Sequence, residues 1–294
     1  MTILITGAAG QLGSVMKETL SNSLENKIIA LNKDELDITD IRSIETAFDK
    51  YQPKWVINTA AFTAVDDAES ELEKAFALNA TAVEYLAQHC AQYSAKLIHF
   101  STDYVFDGKK QGAYSESDLC NPETVYGKTK LAGEQMLREN LDDHIILRIS
   151  WIFSSQGNNF VKGMSRILKE KPFITVVNDQ HGCPTSAKSV AKLVKAIIQE
   201  HPTLCGTFHY SNQPATTRYD FTVEIQKQLI ANHNYELKPI YPTSSKDFAA
   251  KAKRPLNSVL ACTKIEKMMN HQALDWRQEL TEVLGELHNG TIHT

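Results

Sequence analysis

From residue 2 to residue 149, short β-branched and aliphatic runs alternate with stretches whose apolar residues recur every three or four positions. The runs at Thr2–Thr6, Lys27–Leu31, Trp55–Asn58, 96–101 and His144–Ile149 predict strands. Between them, helices are predicted from the glycines after residue 6 to about Leu24, over 40–51, over 72–92 and over 124–141. The second carries Ile41, Ile44 and Phe48 on one face, and the third turns Leu78, Val83, Leu86 and Ala87 inward. This alternation calls for parallel strands joined by right-handed helical crossovers, which is an α/β, doubly wound sheet. After Trp151 the rhythm loosens. A helix at 160–170, a strand at 173–177, a loop at 178–185, a helix to about Glu200 and a strand at 207–210 are expected. Helical pieces separated by Pro214, Pro239, Pro242 and Pro255 follow. There is no repeat, low-complexity tract or Gly/Ser linker. The expected organisation is a dinucleotide-type domain over 1–150 and a smaller, mainly C-terminal α/β lobe over 151–294. Some later segments are expected to return to the first sheet.

Composition narrows the function. The 294 residues are 42% hydrophobic and 22% charged, ordinary globular usage. A net charge of -4 gives no general attraction to nucleic acid or an anionic membrane. No apolar run approaches a membrane span, and the chain opens on a strand rather than a basic leader, so a cytoplasmic protein is expected. The five cysteines are odd in number, far apart and without a CxxC pair, as expected of free thiols. Asn79 and Asn289 begin acceptor tripeptides for glycosylation, which carry little weight without secretion. No HExxH, Cys/His cluster or calcium loop stands out among the ten scattered histidines, so no metal is expected.

Chemistry enters at the first strand–helix junction, Gly7-Ala8-Ala9-Gly10-Gln11-Leu12-Gly13. Glycines there permit a tight turn, close approach of a pyrophosphate and helix-on-sheet packing, while the helix N-terminus favours an anion. The second strand ends Leu31-Asn32-Lys33-Asp34. A neutral Asn32 with a cationic neighbour leans toward NADPH, and Asp34 could serve NADH instead. Asn58-Thr59-Ala60-Ala61-Phe62-Thr63 closes the third strand with small residues, as a backbone lying against a dinucleotide requires. Further on, Thr102 follows the fourth strand, and Tyr126 and Lys130 stand four apart on a helix, about 5–6 Å from each other. An ammonium beside a phenol is expected to lower the phenol's pKa from ~10 and fit it to protonate a carbonyl oxygen as hydride arrives. Lys130 can also bond a cofactor ribose, and the Thr102 hydroxyl can bind the same carbonyl oxygen. Each feature alone is common. Their occurrence in this order within one α/β unit points to a Rossmann-type reductase.

On these residues the chain resembles an extended short-chain dehydrogenase/reductase, and within that superfamily the dTDP-4-dehydrorhamnose reductase family. The resemblance runs nearly end to end. It rests on Gly7 to Gly13, Asn58 to Ala61, Thr63 to Asp66, Ser101 to Phe106, Val125 to Glu134 and Ile149 to Trp151. It continues through Asn158 to Phe160, Asn178 to Gln180 with Gly182 and Pro184-Thr185, and Arg254-Pro255 with Asn257-Ser258. It implies reduction of the 4-keto group of a dTDP-linked 6-deoxyhexose, dTDP-4-dehydro-L-rhamnose giving dTDP-L-rhamnose, with NADPH or NADH as hydride source and Tyr126 as proton donor. It further implies that Thr102, Asp103 and Trp151 contact the sugar nucleotide. Gly10, Gln11, Leu12, Asp37, Ile38, Ala61, Phe62, Thr63, Tyr126 and Lys130 would contact the cofactor. Arg254 is read as a diphosphate ligand or as a cap or surface residue, and Trp151 as a substrate contact or a core aromatic. Some members are held to dimerise through Mg²⁺ and acidic residues. Here Val15 and the segment Ser186-Ala187-Lys188-Ser189-Val190 lack the carboxylates, so a monomer or a homodimer without a metal bridge is expected. Two alternatives stay open: a reductase or epimerase of another nucleotide sugar, and a non-catalytic NADP-binding regulatory subunit of methionine adenosyltransferase.

Overall fold

The computed structural model describes residues 1–22, 26–233, 236–270 and 272–292, so the predicted helix end near Leu24 lies outside the described residues. In chain order the first half runs β1 (Thr2–Thr6), α1 (Gln11–Ser21), β2 (Lys27–Leu31), α2 (Ile41–Tyr51) and β3 (Trp55–Asn58). Then come α3 (Val65–Ala68), α4 (Leu72–Phe76), a π-helical turn (Ala77–Thr81), α5 (Ala82–Tyr93) and β4 (Lys96–Thr102). A 3₁₀ turn (Asp103–Val105), α6 (Val125–Asn140) and β5 (His144–Ile149) complete it. The second half holds β6 (Ile152–Phe153), α7 (Phe160–Glu170), β7 (Ile174–Val177), β8 (His181–Gly182), β9 (Thr185–Ser186) and α8 (Ala187–Glu200). It ends with β10 (Gly206–Tyr210), β11 (Thr216–Thr217), α9 (Arg218–His233), β12 (Ile240–Thr243), α10 (Thr263–Met269) and α11 (Trp276–Ile292).

Six strands pair in the order β10-β5-β4-β3-β1-β2, every neighbour parallel. The alternation of side chains explains why both faces must be covered. Ile3, Ile5, Trp55, Ile57, Ile98, Phe100, Ile145 and Leu147 pack on one face with Val15 and Met16 of α1 and Val190, Val194 and Ile197 of α8. Leu4, Val56, Leu97 and Ile146 pack on the other with Phe48 of α2, Val83 and Leu86 of α5 and Leu137 of α6. The chain leaves β1 for β2 on one side and later turns to β3 on the other. The loops after β1 and β3 therefore diverge at the C-terminal ends of the strands, where α/β sheets of this kind hold ligands. A third apolar cluster joins Phe153, Val161, Ile174, Val176, Phe221, Ile225, Trp276 and Leu280, from β6, α7, β7, α9 and α11.

Several expectations are corrected. The predicted helix over 72–92 is interrupted by the π-helical turn, whose Asn79 is buried and bonded into the loop after β3 rather than solvent-facing. Ile41, in the first turn of α2, is 44% exposed, whereas Ile44 and Phe48 are buried. The stretch around Pro242, expected only to separate helical pieces, forms β12 and pairs in parallel with β7. Two-stranded sheets consist only of edges, and there a residue without an N–H is tolerated.

Candidate active site

The glycine loop is shaped by contacts that leave no room for side chains. Gly7 has φ +65°, and a Cβ on it would lie 2.7 Å from the Ala60 nitrogen. A Cβ on Gly13 would lie 2.3 Å from the Gly7 carbonyl oxygen. These contacts seat the loop after β3 against the loop after β1. α1 begins at Gly10 with no side-chain cap, and its first backbone bond runs from the Ser14 N–H to the Gly10 carbonyl. The amides of that first turn, at Gln11, Leu12 and Gly13, are thus left for an outside acceptor. Gln11 Nε2 is buried without a hydrogen-bond partner, beneath Gly157 of the 154–158 loop. An uncapped helix start, an orphaned donor and a cradle that any Cβ would fill fit the diphosphate of a dinucleotide.

The other predicted cofactor residues line the same end of the sheet. Asn32 Oδ1 accepts the Asp34 and Glu35 N–H groups at 2.8 and 3.2 Å, closing the turn after β2. Asp37 accepts the Thr39 hydroxyl and N–H at 2.6 and 2.9 Å, bonds that hold its carboxyl below the usual range. Ile38 is 2% exposed and packed in the core, so any ligand contact falls to its backbone. Ala61 and Phe62 are half-buried and Thr63 is exposed. Asn79 fixes this loop through both edges of its amide: Oδ1 accepts the Phe62 N–H at 2.8 Å, and Nδ2 donates to the Phe62 carbonyl at 3.0 Å.

Thr102 ends β4, and its hydroxyl donates to Asp103 Oδ1 at 3.0 Å while accepting the Tyr104 N–H at 3.2 Å. The start of α6 is drawn onto this turn by two local features. Thr124 Oγ1 caps the helix by accepting the Gly127 N–H at 3.0 Å. A Cβ on Gly127 would lie 2.2 Å from the Tyr104 carbonyl oxygen, so glycine lets the helix touch the backbone below it. The result brings the Tyr126 hydroxyl close enough to that of Thr102 to feel it, with the Tyr126 ring edge-on to Tyr104 at 5.8 Å.

The expected lowering of the Tyr126 pKa by Lys130 is corrected by the structure. Burial pushes the phenol up; the Thr102 hydroxyl opposes this, and Asp103 and Tyr104 add to it. Lys130 is 2% exposed, and its Nζ lies 3.3 Å from Nε2 of His99, which is bonded in turn to Asn58 at 3.2 Å. Burial draws its pKa down from 10.5 to about 8 against the opposing pull of Glu134. Both groups are desolvated, so each moves toward its neutral form.

The substrate side is assembled from distant segments. Asp103 is buried, its carboxyl pushed up to about 6 by desolvation against the hydroxyls of Ser258 and Thr102 and the charge of Arg218. Trp151 has φ +46°, and its indole rests on Gly182, where a Cβ would lie 2.4 Å from Trp151 Cε2. Ser150 Oγ donates to the Cys183 carbonyl at 2.7 Å and the Thr185 N–H to the Trp151 carbonyl at 3.2 Å, so the 178–185 segment is the seat of Trp151. Arg254 is half-buried and donates from Nη2 to Asp66 Oδ2 at 2.7 Å. Arg218, at the start of α9, places its guanidinium 3.6 Å from the centre of the Trp151 ring. The structure thus gathers Thr102, Asp103 and Tyr126, with Trp151 reached through Arg218, and sets Lys130, one turn along α6 from Tyr126, against His99.

Sequence reasoning missed Arg218 and His99. His99 stood in a predicted strand with only its alternation as a signal, and Arg218 looked like any cation opening a helix. Missed too was the buried Glu134, four residues from Lys130, which binds Arg148 at 2.7 and 2.8 Å, Arg138 at 2.6 Å and the Ser101 hydroxyl at 2.5 Å.

A parallel sheet of this order, with a glycine loop at its switch point, defines a Rossmann-type nucleotide-binding protein. Residues 1–289 match the family model described as RmlD substrate binding domain, and the chain belongs to the dTDP-4-dehydrorhamnose reductase family. It is 38% identical over 286 residues to the dTDP-4-dehydrorhamnose reductase of Aggregatibacter actinomycetemcomitans, covering 96% of this chain and 97% of that one. Its fold superposes on the crystal structure of a dTDP-4-dehydrorhamnose reductase from Clostridium acetobutylicum with a TM-score of 0.92 and 36% identity, covering 98% and 100% of the two chains. The Bacillus anthracis dTDP-4-dehydrorhamnose reductase in complex with NADP gives 0.91 and 34%, covering 97% and 99%.

Proposed function

We propose that this chain is an NADP(H)-dependent reductase of the short-chain dehydrogenase/reductase type. Its reaction is the conversion of dTDP-4-dehydro-L-rhamnose to dTDP-L-rhamnose by reduction of the 4-keto group. The observation that carries this reading is the Tyr126–Thr102 hydroxyl pair at the C-terminal end of β4, on the same edge of the sheet as the glycine cradle. Gly7, Gly10 and Gly13 with the first-turn amides would hold the cofactor diphosphate, and the loop 61–63 would line its middle. When bound there, the dihydronicotinamide supplies hydride. Thr102 binds the carbonyl oxygen and favours charge developing on it. Tyr126, its pKa raised by burial, stays protonated across the neutral range and is placed to donate the proton. Lys130, one helical turn from Tyr126 and held on His99, would bond the ribose. The neutral Asn32 next to Lys33 and the NADP of the Bacillus anthracis relative favour NADPH.

One observation supports a neighbouring substrate. The chain is 35% identical over 288 residues to a protein of Streptomyces antibioticus named as a probable dTDP-4,6-dihydroxy-2-methyloxan-3-one 4-ketoreductase. A non-catalytic regulatory role is disfavoured by the assembled Thr102 and Tyr126. Residues 1–150 and 151–294 serve in this reading as cofactor and substrate halves, with α8 and β10 returning to the first sheet. No helix among the described residues is long and apolar enough to cross a membrane, in keeping with a cytoplasmic enzyme. A monomer or a homodimer without a metal bridge is the reading here, resting on the lack of carboxylates at Val15 and over 186–190.

The test is NADPH oxidation against a panel of 4-keto sugar nucleotides, with wild type and Tyr126→Phe. Turnover with the dTDP-4-keto sugar is expected, falling at least about 100-fold in the variant while NADPH affinity holds within about twofold. Absence of oxidation with every dTDP-4-keto sugar would overturn the assignment, and near-normal turnover of the variant would overturn the role of Tyr126.

A further inference from the structure

We propose that Asn58 and His99 are positioning residues for Lys130: Asn58 fixes the imidazole as the tautomer with its hydrogen on Nε2, and that hydrogen, aimed at Nζ, favours the neutral amine. The consequence for turnover rests on the reductase reading above. The tautomer does not.

Thr6, Asn58 and His99 form a polar row across three neighbouring parallel strands, Thr6 in register with Asn58 and Asn58 with His99. All three are buried, so their polar atoms must find partners within the protein. The backbone N–H of Ala60 can only donate, and it lies 3.2 Å from Asn58 Oδ1, which also accepts the Thr6 hydroxyl at 2.7 Å. Ala60 is itself pinned against Gly7, so the amide has a fixed reference. Asn58 Nδ2 therefore points at His99 Nδ1, 3.2 Å away, and needs an unprotonated nitrogen there. Burial draws the imidazole's pKa well below its ordinary value, so the ring is neutral and its one hydrogen sits on Nε2. Nε2 is the atom 3.3 Å from Lys130 Nζ.

An ammonium has three hydrogens and no lone pair, so it opposes the Nε2 hydrogen. A neutral amine accepts that hydrogen, and every bond in the row is then made. Charging Lys130 either leaves two donors facing each other or drives the ring hydrogen to Nδ1, against Asn58. The other titratable groups around the pair are Tyr126 and Glu134 on α6, and His144 and Arg148 on β5. Glu134, held by Arg148 and Arg138, pulls Lys130 toward the ammonium, and His144 stands opposite Leu97, two residues from His99. Among the described residues none of these four bonds a His99 ring nitrogen. The ammonium is the form that steadies the phenolate left when Tyr126 gives up its proton, so turnover falls as Lys130 loses its own. Asn58 and His99 thus set the upper pH limit of turnover.

NMR of the full-length, cofactor-free protein, labelled in histidine and lysine, provides the test, with signals assigned through His99→Gln and Lys130→Met. At about pH 9, above the Lys130 midpoint of about 8, wild-type His99 is expected to carry hydrogen on Nε2 and none on Nδ1. Asn58→Asp puts an acceptor where the amide donated, and Asn58→Leu removes the donor without adding a charge. In both, the ring hydrogen should move to Nδ1 and the lysine midpoint should rise by at least about one pH unit. The leucine variant separates this from attraction to a new carboxylate. If Asn58→Leu fails to fold, the ring tautomer in Asn58→Asp carries the comparison. The alkaline limb of kcat against pH should follow the lysine midpoint upward, a shift that a merely structural Asn58 would not produce. Hydrogen on Nδ1 in the wild type, or an unmoved lysine midpoint in a folded Asn58→Leu, overturns the assignment. A limb that stays in place while the lysine midpoint moves overturns the positioning role in turnover. Absence of turnover with every sugar nucleotide would reject the reductase reading and leave the NMR to decide the tautomer.

Discussion

Lys130→Met replaces the buried ammonium with an uncharged chain of similar length, and the structure sets the expected gain in stability. The Lys130 pKa falls from 10.5 to about 8 on folding, chiefly through burial, with Glu134 on the same helix opposing and His99 facing it from β4. Below pH 8 the lysine is protonated in both states, and the folded chain carries the full penalty of a desolvated charge, roughly 3 kcal/mol. Between pH 8 and 10.5 the unfolded state binds more protons, so stability rises with pH and the penalty fades. Methionine removes the penalty at every pH but loses the contact with His99, about 1 kcal/mol. The net gain near pH 7 is about 2 kcal/mol, or roughly 4–6 °C in Tm for a chain of this size. Thermal unfolding of the cofactor-free protein, wild type and variant side by side from pH 6 to 10, measures it; groups that titrate in both chains cancel. Turnover should be lost while Tm rises at neutral pH, and the gap should close, then reverse slightly, toward pH 10. A variant no more stable than wild type at pH 7, or a gap that persists unchanged at pH 10, refutes the reasoning.

Gly13→Ala places a methyl 2.3 Å from the Gly7 carbonyl, and a backbone shift there is expected to weaken NADPH binding at least about tenfold, read by fluorescence titration. Gly182→Ala drives the indole of Trp151 from its seat, so KM for the sugar nucleotide should rise severalfold with NADPH affinity unchanged; an unaltered KM would show that Trp151 does not touch substrate. Glu134→Gln leaves Arg148 buried without its counter-charge, a loss of about 3–5 kcal/mol that calorimetry should register as a Tm lower by roughly 6–15 °C.

The first five strands were legible because each is built around a short β-branched or aliphatic run, the pattern of a parallel sheet covered on both faces. The second half hid more. β6, β8, β9 and β11 are two residues each, held by pairing partners that lie far off in sequence, and no local period marks them. The π-helical turn was invisible because its Asn79 breaks the apolar repeat for a tertiary reason, the clasp on Phe62. At the site, glycine spacing and the Tyr126–Lys130 interval pointed to candidate residues but not to their protonation. The phenol's environment depends on Asp103, Tyr104 and Thr102, whose proximity is a product of the 3₁₀ turn after β4. Arg218 could not be read because its meaning comes from Trp151, some 67 positions earlier.

Two charged groups on one turn of α6 separate structural from functional burial. Glu134 and Lys130 are four residues apart and almost equally inaccessible, at 0% and 2% exposure. Glu134 is saturated by two arginines and a serine hydroxyl, and its carboxyl is held low despite its burial. Lys130 has one imidazole, and its pKa falls too, which for an ammonium favours the neutral form. The fold can therefore complete the partners of a buried charge at this depth, and one turn nearer the cleft it leaves them incomplete. The same incompleteness marks Asp103 Oδ2, Arg254 Nε and Gln11 Nε2, while Trp151 holds a left-handed backbone that a non-glycine residue rarely adopts. These departures belong to the loops and helix starts at the C-terminal edge of the parallel sheet, where unsatisfied groups are positioned to be satisfied by what binds.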